Sequence, residues 1–321
     1  MFKVHDAPKV YVIGHSSLDF QSVFDFLRDE GGAWERDTDV PVRALPELAG
    51  RICYMSFGEK QGRKSNDDYI RHIIEVGHGS VLEHATVNFI FTGISRSLSL
   101  ELARHRVGIA ISQLSQRYVD SSDAGLVMPP ALLAMKGTKG ESARERVRTE
   151  FVRALEAYDV LTEQLVESLA TPDALIEFAI RDGVLKPCAS DVSGEFVYSE
   201  GERNVMGTLK AWREMASDPD KGWRDVLRKA TSTSRRKSAR ETARSVLPNC
   251  TETKMVYSMN CRALRHFFTL RGAPGVEMEF RRFTVAVFNA VKVMLGPIVA
   301  DFQLRGTPDG IGTLWTPFPK V

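Results

Sequence analysis

Nowhere in this 321-residue chain do 18 apolar residues follow one another, and the N-terminus, MFKVHDAPKVYVIGHSS, offers an apolar run of only five. A membrane-spanning helix and a secretory leader are therefore not expected, and a cytoplasmic protein is. Cysteine is scarce. Cys53, Cys188, Cys250 and Cys261 stand at irregular spacing, which gives neither a disulfide framework nor a zinc pattern and suits a reducing compartment. An excess of one charge is lacking too, since 43 Lys and Arg are interspersed with 41 Asp and Glu for a net charge of +2. That balance argues against the alternative of a nucleic-acid-binding module and leaves any anionic ligand to local arginines. There is no internal repeat and no low-complexity tract.

Several chemical signatures are incomplete. Gly14-His15-Ser16-Ser17 follows a predicted strand, but no G-x-G-x-x-G or G-K-[ST] pattern accompanies it, so it is a weak phosphate loop. In His78…Glu83-His84, Ser80 stands where H-x-x-E-H needs a histidine, and H-E-x-x-H is absent. No metal site is expected. Pro187-Cys188-Ala189-Ser190-Asp191 lacks the second cysteine of a deaminase zinc centre, and a lone cysteine such as Cys188 is more often buried and inert than nucleophilic.

What is present is a 43% hydrophobic content, enough for a sizeable core, and one dense stretch from Gly77 to Tyr118 that holds three of the seven histidines. Thr86 to Thr92 alternates, with Val87, Phe89 and Phe91 on one side, which predicts a half-buried strand ended by Gly93. Ile94, Leu98 and Leu102 then predict a helix with Ser95 as N-cap and Arg104-His105-Arg106 on its last turn. Basic residues suit a helix C-terminus, so the triplet has a structural reading as well as a functional one. The following VGIAISQLSQRY interleaves hydroxyls, amides and Arg117 with apolar residues. Such a loop suits a phosphate and a flat base.

Elsewhere the pattern predicts a strand at Val10 to Ile13, a helix around Asp19 to Arg28, and a polar loop to about Val42. Ser65 and Asp68 fit a capping pair for a helix through Val76, with Gly77 as its stop. A long helix is expected from about Glu141 to Ala170, and a basic one from Arg235 to Leu247 whose charge, Arg244 excepted, is read as a solvated face. The last third reads as a strand (Lys254 to Met259), a helix (Asn260 to Arg271), a Gly-Ala-Pro-Gly turn, and an aromatic-rich helix through Leu295 stopped by Gly296-Pro297.

The string R-H-R, eight residues, then S-Q-R-Y resembles the signature of the flavin-dependent thymidylate synthases, the ThyX family, and G-H-G-S-V-L-E-H resembles the segment that precedes it there. Ala243 to Pro248 is similar to the family's A-R-x-V-L-P. Asn260-Cys261-Arg262 through Leu270-Arg271, with Glu279-Phe280-Arg281, is similar to its N-x-R…L-R…E-I-R region. With a weaker match at Tyr11 to His15 and Gly50 to Tyr54, the resemblance covers about half of the chain in family order. It implies an α/β (α+β) fold, an antiparallel sheet flanked by helices, in one catalytic domain over residues 1–321 with a helical insertion at about 172–234.

The resemblance further implies C5 methylation of uridine monophosphate (dUMP, UMP or both), with FAD, methylenetetrahydrofolate as carbon donor and NADPH as reductant. It implies a homotetramer with shared sites, whose partners are a small-molecule nucleotide and folate, with no nucleic acid and no membrane. Carried over residue by residue, Ser80, Arg104, His105, Arg106, Gln113, Asn260, Cys261, Arg262 and His266 would contact FAD. Glu101, Leu102, Ala103, Arg104, Gln113, Leu114, Ser115, Gln116, Arg117, Arg244 and Arg271 would line the nucleotide, with Arg271 catalytic. The chain departs from the pattern in one extra residue between Arg106 and Ser115, in Glu101 for a usual Gln, in Gly275 for a common His, and in Ser112-Gln113 for Asn-Glu. A divergent branch similar to the family, the uridylate methylase of the polyoxin pathway, methylates the ribonucleotide. Glu101, with small Gly108 and Ala110 nearby, suits a ribose 2′-hydroxyl.

Overall fold

A computed structural model describes residues 2–188, 194–201 and 203–321. Of the Pro187 to Asp191 run weighed above, Ala189, Ser190 and Asp191 lie outside the described residues. The chain divides into two compact units: a larger one of residues 2–114, 125–147 and 249–321, and a smaller one that includes 115–124 and 148–248.

The larger unit is built on a four-stranded antiparallel sheet in the order Lys9–His15, Thr86–Ser95, Glu252–Asn260, Ile109–Gln113. Alternation decides its faces. Phe89 pairs with Tyr257 and Phe91 with Met255 across the two central strands, and all four are buried. Onto them pack the helices Cys261–Arg271 and Met278–Leu295, with Phe91 and Phe283 edge to face at 4.7 Å. Each such aromatic contributes roughly 1.5–3 kcal/mol by leaving water. The helices Phe20–Asp29, Pro41–Tyr54 and Asn66–Glu75 complete this unit's main elements, together with the short Arg96–Leu102 helix. Here too belong two small pairings, Val4–His5 with Leu126–Val127 and Gln303–Arg305 with Thr313–Trp315.

Several local signals act as expected. Ser65 and Ser95 serve as side-chain N-caps, and Asp19 and Asn260, expected only to open their helices, do so as well. Others do not. Gly93 fails to end its strand; with φ of 65° it sits in a bulge between Phe91 and Ile94, after which pairing resumes to Ser95. The helix from Arg96 stops at Leu102, so Arg104-His105-Arg106 follows it rather than forming its last turn. Part of the expected 107–118 loop, Ile109–Gln113, is a strand paired to Glu252–Asn260. Where the expected polar loop ends, the Pro41–Tyr54 helix begins with proline at its first position and buries Glu47 against Arg51 at 2.7 Å.

The smaller unit has its own core of Leu175, Tyr198, Trp212, Trp223 and Leu227, with the two tryptophans edge to face at 5.0 Å. Residues 172–234 belong to it. They are not purely helical, since Leu185–Pro187, Glu195–Glu200 and Arg203–Thr208 form an antiparallel sheet beside the helices Pro172–Arg181, Leu209–Ser217 and Trp223–Ala230. The basic helix is Ser232–Ala243, and its charge is not all solvated: Arg235 is buried. Its guanidinium donates to Thr231 Oγ1 (3.2 Å), Val166 O (3.0 Å) and Arg228 O (2.7 Å), which offsets its desolvation. The long helix, expected from about Glu141, runs Gly137–Ser168.

Candidate functional site

The site is assembled where the Arg96–Leu102 helix ends beside the Cys261–Arg271 helix. Ser95 fixes the start of the first, accepting from Leu98 N (3.0 Å) while its own N and Oγ donate to the two oxygens of Glu279 (2.9 and 2.7 Å). Its far end is anchored by the buried Tyr257, whose hydroxyl donates to Leu102 O at 3.0 Å. Asn260 fixes the second helix, accepting from Ala263 N (2.8 Å), while its backbone N donates to Gly108 O (2.9 Å). Only glycine fits at 108: φ is 69°, and a Cβ would lie 2.4 Å from Asn260 Nδ2.

These anchors bring the Arg104 to Arg106 segment against Arg271. Arg271 Nε donates to His105 Nε2 at 2.9 Å and its Nη2 donates to Glu101 Oε2 at 3.3 Å. Glu101 Oε1 in turn accepts from Arg104 Nη1 at 3.3 Å. The guanidinium carbon of Arg271 lies 4.4 Å over the Phe280 ring, a cation–π contact worth roughly 1 kcal/mol. Burial, then the positive charge of Arg271 and the neighbouring His266, pulls His105 down to about 4, against the opposing pull of Glu101. The imidazole is therefore neutral at pH 7. Because an arginine Nε always carries its proton, Nε2 of His105 is the bare nitrogen and Nδ1 holds the hydrogen.

Around this cluster lies a cleft of about 470 Å³ lined by Glu101, Arg104, His105, Arg106, Val107, Ile109, Ala263, His266, Leu270 and Arg271. A second, of about 630 Å³, shares Val107, Ala263 and His266 with it and adds Glu83, Asn260, Arg262 and Pro319 to Val321. A third, of about 520 Å³, shares Glu101 and Arg271 and adds Ser97, Leu98, Gly275 to Glu277 and Phe280. Shared lining residues set the three side by side in one trough-like row. Among the described residues, no group of three His, Cys, Asp or Glu could hold a metal ion, and no helix is long and apolar enough to cross a membrane.

Seven of the expected residues, Glu101, Arg104, His105, Arg106, Asn260, Arg262 and His266, thus meet Arg271 along this trough. Others are placed differently. Ser80 is exposed on the single turn Gly79–Glu83 and lines none of the three clefts. Leu102 is buried, Ala103 is exposed, and Leu114 N donates to Lys254 O at 2.9 Å. Gln113 spends its Nε2 on Ser99 Oγ (2.8 Å) and Thr253 Oγ1 (3.2 Å). The Cys261 thiol is fully buried and burial pushes it up to about 12, so it is no nucleophile. Ser115, Gln116, Arg117 and Arg244 belong to the smaller unit, where Arg117 pairs with Glu241 at 3.1 Å. Glu83, which stands in the G-H-G-S-V-L-E-H block without an expected site role, pairs with Arg262 at 2.5 Å; the 319–321 wall carries no local signal, and sequence reasoning missed it.

Comparison with known proteins bears on this geometry. A family model described as thymidylate synthase complementing protein, Thy1, matches residues 41–295. The flavin-dependent thymidylate synthase of Mycobacterium sp. (strain JLS) is 36% identical over 285 residues, 88% of this chain and 89% of the relative. That of Mycobacteroides abscessus is 35% identical over 288 residues, 89% of each. Among solved structures, thymidylate synthase X from Helicobacter pylori with FAD and dUMP aligns with a TM-score of 0.46 at 17% identity, over 91% of this chain and 99% of that one.

Proposed function

The chain belongs to the thymidylate synthase complementing protein family, Thy1, and from that premise we propose that it methylates C5 of uridine monophosphate, with methylenetetrahydrofolate as carbon donor and NADPH as reductant. The family makes it an enzyme, a methyltransferase of the flavin-dependent thymidylate synthase type. The observation that carries the reading is the Glu101, Arg271, His105 cluster set in a trough rimmed by Arg104, Arg106 and Arg262.

The residues suit FAD. Arginines offer bidentate, permanently charged donors to a pyrophosphate, His105 Nδ1–H and Asn260 Nδ2 offer neutral ones, and Gly108 keeps the backbone close where a Cβ would collide. Arg104, His105, Arg106, Asn260, Arg262 and His266 would hold the cofactor; the further contacts expected at Ser80, Gln113 and Cys261 lie off these clefts. FAD when bound supplies hydride chemistry. Arg271 has three unspent N–H groups, and a preorganised guanidinium stabilises negative charge on the uracil N3/O2 edge as C5 becomes nucleophilic. Glu101 to Arg104, Gln113 to Arg117 and Arg244 would orient the nucleotide, leaving no part for a protein nucleophile. The assembly we propose is a homotetramer with shared sites. Val107, 88% exposed, and Leu270, 47% exposed, support it as apolar side chains at the cleft that a second subunit would cover.

Purified protein should be yellow, with the absorption of oxidised flavin; a colourless preparation that binds no added FAD would sink the reading. Salt-dependent binding to DNA or RNA in its place would favour a nucleic-acid-binding module. On the sugar, the two oxygens of Glu101 each accept one arginine bond and keep lone pairs for a 2′-hydroxyl. We therefore expect both UMP and dUMP to be accepted, as compared by kcat/KM. Turnover of UMP below about 1% of the dUMP value, a discrimination of roughly 2.7 kcal/mol, would make dUMP the sole physiological substrate.

A further inference from the structure

Arg271 has a proposed task; what holds it in place does not yet. We propose that His105 is a positioning residue for Arg271: a neutral imidazole whose Nε2 accepts the Arg271 Nε–H, leaving Nδ1–H to donate to a carbonyl-type acceptor on a ligand in the cleft. The inference rests on the role given to Arg271 above.

A guanidinium presents five N–H donors in one plane, and two attachments on different nitrogens fix that plane. Here they are His105 Nε2 at 2.9 Å and Glu101 Oε2 at 3.3 Å, with the Phe280 ring against the guanidinium at 4.4 Å. His105 is itself held by ring edges, 5.4 Å from Phe267 at 74° and 6.2 Å from Phe280 at 84°. Those rings come from two helices packed into the core of the larger unit, so the imidazole inherits their rigidity.

The protonation state matters to the task. An imidazolium has two donors and no acceptor; it would lose the Arg271 bond and repel the guanidinium. The groups facing His105 guard against this. Arg271 and His266 come from the Cys261–Arg271 helix, Glu101 from the Arg96–Leu102 helix and Arg104 from the segment that follows it, and Phe280 brings no charge from the Met278–Leu295 helix. Apart from Glu101, every ionisable one is basic. A ligand therefore meets a hydrogen-bond donor without positive charge, which suits a neutral carbonyl better than a phosphate.

Nitrogen-15 histidine-labelled full-length protein, read by magic-angle-spinning NMR at pH 7, tests this without substrate. The His105 signals, assigned by their loss in His105→Gln, should show a protonated Nδ1 and a bare, hydrogen-bonded Nε2 that shifts in Arg271→Ala. A proton on Nε2, or no shift in Arg271→Ala, overturns the proposal. Because no turnover is involved, that failure is distinct from failure of the proposed reaction. In turnover, His105→Phe should lower kcat by about 10²-fold, the scale of a misplaced catalytic group, with KM changing less. His105→Gln, which keeps an acceptor, should recover part of it. In kcat at saturating flavin, adding His105→Phe to Arg271→Ala should cost far less than His105→Phe costs alone; losses that multiply in full mean that His105 acts independently, and the proposal fails.

Discussion

Arg271→Ala should lower turnover by about 10²-fold or more, the scale for removing one preorganised donor from a developing negative charge. The flavin should stay bound, since the arginines of the 104–106 segment and Arg262 remain. The loss should appear in kcat and kcat/KM together, as it does for an interaction made only in the transition state. Lysine should not substitute. Its ammonium is a point charge without the planar fork that meets His105 and Glu101 at once. Near-normal turnover in Arg271→Ala would exclude the assigned role. Cys188→Ala, by contrast, should leave activity intact, and inactivation there would revive a cysteine nucleophile.

Asp301→Ala should be among the most destabilising single changes in the chain. Arg265 has no exposed side-chain surface, and its fork meets both oxygens of Asp301, at 2.5 and 2.9 Å. Two carbonyls, Ile298 O at 2.7 Å and Val321 O at 3.1 Å, complete its partners. Removing the carboxylate strands a buried cation, at a cost of about 3–5 kcal/mol, a large part of an ordinary domain's stability. Urea unfolding should show a lower midpoint with an unchanged slope. An exposed pair, Glu150 with Arg153 at 3.1 Å, is the control, and Glu150→Ala should cost less than about 1 kcal/mol. Equal midpoints for the two variants would mean that the Arg265 clamp holds nothing. Because Arg265 precedes His266 on the helix that ends in Arg271, the clamp also steadies the site.

The caps and the central strands were legible because their signals are local. Ser65 and Ser95 each cap within three residues of themselves, and Val87, Phe89 and Phe91 betray a strand by alternation alone. Misreadings arose where a distant partner decided. Gly93 looks like a stop until the Glu252–Asn260 strand supplies bonds beyond it, and Ile109–Gln113 looks like a loop until the same strand pairs with it. The Pro41–Tyr54 helix, with Pro46 inside it, has no reading as an element from the sequence at all, and a buried network joins it to its surroundings: Glu47 accepts from Arg51, Trp34 and Asn66. Arg235 sits in a charge run that reads as solvent-facing, yet backbone carbonyls outside the run bury it. The candidate site divides in the same way. Motif resemblance named Arg271 and His105 separately. Their bond spans 166 positions, and no pattern along the chain contains it.

The placement of the Thr86–Ser95 strand has a kinetic side. One of its edges is met by Lys9–His15, made before it, but the other pairs with Glu252–Asn260, which the ribosome delivers much later. At ordinary elongation rates that interval is on the order of ten seconds, far longer than hairpin closure takes. Throughout it, a strand bearing Val87, Phe89 and Phe91 presents unpaired backbone and an uncovered apolar face, the combination that templates aggregation. Yield in a host cell should therefore respond to chaperone supply and slower growth temperature more than to any stabilisation of the finished fold.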